Sequence, residues 1–147
     1  MNILILEDNL YMAEVMEQDM GEYFNNHNID VDIIVCNGIY EANMAIENQE
    51  YDYIISDLNM NPDGLDEYLY CDTMGALLTG WVWVKNYIFK NNSKSFVVFY
   101  SDFSEELKHI DEYKEYSDKS LLINKSEKSI EDICELILKK HCDFTNE

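Results

Sequence analysis

The sequence is poor in positive charge. Ten lysine or arginine residues stand against thirty acids in 147 residues, a net charge of −20. Such a chain repels nucleic acid and anionic membranes. The same charge suits a hard divalent cation or a basic protein partner, although a solvated acidic surface is its commonest use. No apolar run approaches the ~20 residues that a membrane span needs. The first apolar run is broken by Glu7 and Asp8, so it does not read as a secretory signal. Four cysteines (Cys36, Cys71, Cys134, Cys142) show no CxxC spacing, and they read as reduced thiols of a cytoplasmic protein. Three scattered histidines offer no zinc pattern. Proline occurs once, at Pro62, and no linker, repeat or second domain is apparent.

Aliphatic and aromatic residues are plentiful. Hydrophobic content is 47% and aromatic content 13%, enough for one domain with a substantial core. Short apolar runs without polar alternation suit strands buried on both faces of a parallel sheet. Five are present: 2–6, 31–35, 53–56, 96–100 and 120–124. Helical spacing follows each of them. Met12, Val15, Met16 and Met20 mark the first helix, with Asp8 or Asn9 as its cap. Ala42, Ala45 and Ile46 mark the second, and a third starts near Gly80 and runs through Trp81, Val84 and Ile88. A fourth carries Leu107 and Ile110, and Asp102 is expected to cap it. Ser129 and Asp132 form a capping pair for the last helix, with a frayed tail at 143–147. Five strands alternating with five helices predict a parallel sheet with helices on both faces and right-handed crossovers.

The strands end on useful chemistry. In an open α/β sheet, ligands sit beyond the carboxyl ends of the strands. The first strand delivers Glu7 and Asp8 to that edge, the third Asp57, the fourth Ser101 and the fifth Lys125. An Asp at a strand end is more often a turn residue than a reactive group. Four strand ends bearing polar groups shift that balance. Clustered carboxylates raise one another's pKa, and Mg²⁺ relieves the repulsion. A carboxylate nucleophile, Mg²⁺, a lysine and a hydroxyl together suit phosphoryl transfer to aspartate.

This series resembles the receiver domain of two-component response regulators, over nearly the whole chain apart from 61–79 and the tail. The resemblance implies a flavodoxin-like fold with strand order 2-1-3-4-5 over residues 1–142. It implies Asp57 as phosphoacceptor from a histidine kinase or histidine phosphotransfer protein. Asp8, Asp57 and the Asn59 carbonyl would bind Mg²⁺, and Glu7 would act mainly through water. Ser101 and Lys125 would contact the phosphoryl group. The chain would not be an enzyme beyond labelling itself from small phosphodonors and dephosphorylating itself. It would signal to an output protein, with a homodimer also open and no role for nucleic acid or membrane.

Three residues depart from the family pattern. Ser126 follows Lys125 where a cis-proline is usual, which leaves a trans peptide and a differently aimed lysine as an expectation. Leu122 replaces a switch aromatic. Asp102 follows Ser101 where a small residue is typical. Two other functions compete: a receiver-like scaffold that is never phosphorylated, and a small phosphatase resembling haloacid dehalogenases. The second fits less well, because Asn59 stands where that family has a second Asp.

Residues 61–79 are long for a strand-to-helix connection. They carry Leu65, Tyr68, Leu69, Tyr70, Met74, Leu77 and Leu78, too apolar for a free loop. Two readings stand level: a packed flap over Trp81 or Trp83, and a lid on the Asp57 pocket whose acids select a basic partner.

Overall fold

The computed structural model describes residues 1–145. Its strands are β1 (Asn2–Leu6), β2 (Asp32–Cys36), β3 (Tyr53–Ser56), β4 (Phe96–Ser101) and β5 (Ser120–Asn124). All pair in parallel, in the order β2-β1-β3-β4-β5. This is the doubly wound, flavodoxin-like topology. Ile3 to Leu6 and Tyr53 to Ser56 are buried throughout, as continuous apolar runs require.

Two apolar layers enclose the sheet. On one face, helices α1 (Leu10–Asn26) and α6 (Ile130–Thr145) cover Ile3, Ile5, Ile55 and Val98 with Met16, Met20, Phe24, Ile133 and Ile137. On the other, α2 (Ile39–Asn48), α3 (Thr79–Trp83) and the segment before α3 cover Leu4, Leu6, Ile54, Val97 and Phe99. Each large side chain so buried contributes about 1.5–3 kcal/mol. The caps at both chain ends follow from sequence. The Asn9 side chain accepts from the Met12 amide at 3.0 Å. Ser129 and Asp132 bond reciprocally, Asp132 Oδ2 accepting from the Ser129 amide and Ser129 Oγ from the Asp132 amide.

Four details differ from the sequence-based expectation. First, α3 widens into π-helical turns at Val84–Phe89, which place Val84, Lys85, Ile88 and Phe89 in buried positions. Second, the fourth helix is two short ones, α4 (Ser104–Lys108) and α5 (Asp111–Lys114), with Ile110 extended between them. Asp111 and Glu112 suit the start of a new helix, where negative charge is favoured. The restart sets Tyr113 and Tyr116 against Trp81, at ring separations of 5.8 and 6.1 Å. Third, Asp102 does not cap α4. Phe103 occupies that position, one residue too late for the Asp102 carboxylate, and no side chain caps the helix. Fourth, α6 continues to Thr145, so 143–145 are helical; the rest of the expected frayed tail lies outside the described residues. No helix among the described residues is long and apolar enough to cross a membrane.

The 61–79 segment is packed. Glu67–Thr73 forms a 3-10 helix whose Leu69 is buried, as is Leu65 before it, in the layer that holds Trp81 and Trp83. Trp83 Nε1 donates to Asn43 Oδ1, and Asn43 Nδ2 donates to the Gly64 carbonyl. Gly64 sits at φ +108 with its Cα against α2; a Cβ there would lie 2.9 Å from the Tyr40 nitrogen. Only glycine meets both demands.

Candidate functional site

The sheet order places β1 and β3 side by side at the centre, so Glu7, Asp8 and Asp57 emerge together. Carboxylate oxygens of all three lie within 4.8 Å of one another. β5 lies two strands from β3, and the Lys125 side chain crosses that gap. Its Nζ donates to Asp57 Oδ2 at 2.8 Å and to Glu7 Oε1 at 2.5 Å. The Lys125 amide donates to the Ser101 carbonyl at 3.2 Å, which extends the β4–β5 ladder to the site. The Lys125–Ser126 peptide is trans, as expected without proline. The lysine is nevertheless aimed at Asp57, and Ser126 is anchored separately: its amide and hydroxyl both donate to Asn124 Oδ1.

Asp57 has both oxygens engaged, Oδ1 accepting from the Leu58 amide at 2.7 Å and Oδ2 from Lys125. Its backbone is tightly held. The Asp57 amide donates to the Leu6 carbonyl, and Ser56 Oγ donates to the Asp57 carbonyl at 2.7 Å. The Gly80 amide donates to the Leu58 carbonyl at 2.9 Å.

Glu7 is the unusual member. It is 2% exposed, and its Oε2 is buried without a hydrogen-bond partner. Burial, then the Asp57 charge, push its carboxyl up to about 7, against the lowering effect of Lys125. For Lys125, burial pulls the ammonium down, but its bonds to Asp57 and Glu7 outweigh this and leave it raised. Glu7 thus meets Lys125 directly, a contact beside the mainly water-mediated role expected for it. Asp8 is exposed and faces the open side of the cluster, and Asn59 is exposed two residues beyond Asp57. The donor set fits Mg²⁺: three carboxylates, one of them with a buried oxygen that has no partner and one exposed to water.

Ser101 is fully buried at the end of β4, and its Oγ accepts from the Phe103 amide at 3.1 Å. Asp102 beside it is exposed. Leu122 packs on the layer that contains Trp81. Two supporting residues escaped the sequence reading. Asn37 Nδ2 donates to the Glu7 carbonyl at 3.0 Å, and Asn124 Nδ2 to Ser104 Oγ at 3.2 Å. The available signal was position: each Asn stands at or just past a strand end.

An all-parallel 2-1-3-4-5 sheet with an acidic cluster at its carboxyl edge defines a receiver-type fold. A solved structure shares this fold. The chain is similar to the receiver domain of the Francisella response regulator 1452, with a TM-score of 0.64 and 21% sequence identity, over 95% of this chain and 98% of that one. No family model matches the sequence, and no curated protein matches it.

Proposed function

We propose that the chain is a phosphoacceptor signalling module. Asp57 receives a phosphoryl group from the phosphohistidine of a histidine kinase or histidine phosphotransfer protein. Signalling then proceeds through contacts with an output protein rather than through turnover of a substrate. The observation that carries this reading is the Lys125 bridge to Asp57 and Glu7 inside a three-carboxylate cluster.

The chemistry follows from these groups. A carboxylate oxygen of Asp57 attacks phosphorus, and the imidazole nitrogen leaves with the electron pair of the P–N bond. Asp8, Asp57 and the Asn59 carbonyl would hold Mg²⁺, with Glu7 behind them. When bound, the ion neutralises charge that builds on the phosphoryl oxygens. Lys125 already lies within hydrogen-bond distance of Asp57 Oδ2 and is positioned to pair with a phosphoryl oxygen on Asp57. Ser101 Oγ, at the end of β4, donates its proton to a second oxygen.

Intact mass after treatment with acetyl phosphate and Mg²⁺ tests the reading. The expected result is one added phosphoryl group on wild type and none on Asp57→Asn. An unmodified wild type would favour the phosphorylation-independent scaffold, and a labelled Asp57→Asn would place the acceptor elsewhere. Continuous hydrolysis of a generic phosphomonoester would point to the phosphatase instead.

A further inference from the structure

Charge is divided unevenly along the chain. Residues 1–84 hold seventeen of the thirty acids and none of the ten basic residues, all of which are lysines at or after Lys85. This half contains α1, β2, α2 and the 61–79 segment. Its helices therefore have no lysine of their own to offset their acids.

Within this anionic half, apolar side chains stand in solvent. Tyr40 and Met44 are 68% and 65% exposed, one turn apart on α2. The 61–79 segment adjoins them, since Gly64 abuts the Tyr40 backbone. Tyr70 joins the same surface at 38% exposure. Desolvation, then the facing groups Asp63, Tyr40 and Glu67, push its phenol above the ordinary value. Single exposed apolar residues need no explanation, but a contiguous group ringed by one sign of charge marks a contact surface. Tyrosine and methionine suit such a surface, one as a rigid anchor and the other as an adaptable one.

We propose that Tyr40, Met44 and Tyr70, with Asp63 and Glu67 at their rim, dock a basic amphipathic segment of a partner protein. Aliphatic side chains of that segment cover the tyrosines and the methionine, and its lysines or arginines meet the acids. The complementarity of charge selects the occupant: a second copy docking through this same face would bring a surface of the same sign. The surface does not include Asp57, and the segment is expected to dock on the unphosphorylated chain.

A short fluorescent peptide of leucine and lysine with helical patterning is the probe, titrated against the full chain by anisotropy. Two peptide controls replace leucine by serine, or lysine by glutamate. The leucine–lysine peptide should bind, and about tenfold more weakly to Tyr40→Ser/Met44→Ser, a loss of roughly 1.4 kcal/mol. Both residues are exposed, so the variant should keep its fold. Leu136→Ser, an exposed apolar residue on α6, should bind as wild type does. Both control peptides should bind more weakly than the probe. Amide shifts of the wild type should centre on 39–44 and 63–70. Equal binding of the serine–lysine peptide would reduce the effect to bare charge and overturn the proposal. So would shifts centred elsewhere, or an unaffected double variant. A concentration-dependent dimer of the chain alone that Tyr40→Ser abolishes would instead assign the surface to self-association.

Discussion

Gly80 and Asp57 touch through their backbones. A Cβ placed on Gly80 would lie 1.9 Å from the Asp57 carbonyl oxygen and 2.9 Å from Ser56 Oγ. The first of these is backbone and cannot swing aside. The close approach fixes α3 against the carboxyl end of β3, and so fixes the loop that carries Leu58 and Asn59. Gly80→Ala should therefore disturb the site as well as the fold. Overpacking costs typically 1–3 kcal/mol, and each kcal/mol lowers Tm by roughly 2–4 °C in a chain of this size. Acetyl phosphate labelling should fall with it. Wild-type values for both melting and labelling would show that the contact relaxes without consequence.

Glu7 makes Mg²⁺ binding depend on pH. Its carboxyl titrates near 7, so below that pH it is protonated in the metal-free protein. A bound proton opposes a bound cation. Mg²⁺ affinity should rise between about pH 6 and pH 8, and the rise should flatten in Glu7→Gln. The sign for folding is opposite. The folded pKa lies above the ordinary 4.5, so the folded state binds the proton more tightly than the unfolded state. Without metal, this group makes stability fall as pH rises from 4.5 through 7. Melting temperatures of wild type and Glu7→Gln in a chelator should diverge over that window. Parallel curves would contradict it.

The Phe103 amide reports on Ser101. It donates to Ser101 Oγ in this state. A rotation of the Ser101 side chain that carries Oγ to a phosphoryl group on Asp57 takes it away from that amide. Beryllofluoride with Mg²⁺ should therefore speed hydrogen exchange at Phe103, with further changes through α4, α5 and the Lys125 region. No difference across 101–113 would remove Ser101 from the switching step.

The 3-10 segment should behave as core. Leu69 is 4% exposed in the layer with Trp83. Leu69→Ala should cost about 2–5 kcal/mol in denaturant unfolding. Tyr68→Ser, whose parent side chain is 73% exposed, should stay within about 0.5 kcal/mol of wild type. A near-neutral Leu69→Ala would return the segment to the status of a loose cover.

The central strands were legible because burial on both faces leaves an unbroken apolar run, as in Ile3–Leu6 and Tyr53–Ile55. Their common direction then brought Glu7, Asp8, Asp57 and Lys125 to one edge without further information. Caps at Asn9 and Ser129 were legible because a side-chain acceptor and its target amide are near in sequence. The break at Ile110 was not. Leu107 and Ile110 are spaced for one helix, and the break sets Tyr113 and Tyr116 on Trp81, a partner about thirty residues away. The aim of Lys125 escaped for a similar reason: its partners Asp57 and Glu7 are 68 and 118 residues away. For 61–79, apolar content foretold packing, but its attachment through Gly64, Asn43 and Trp83 is a tertiary matter.

The crowding of rings around Trp81 makes the molecule its own optical gauge. Phe89, Phe99, Tyr113 and Tyr116 surround that indole, and the Lys85 ammonium stands 5.8 Å from its ring. Emission from such an indole responds to small displacements of its neighbours. Trp81 directly follows Gly80, whose backbone leans on Asp57, while Tyr113 and Tyr116 lie on or just beyond α5. A Trp83→Phe chain would carry a single tryptophan between the phosphoacceptor loop and the helices after β4. Movement at either end would then be followed in real time, without a label.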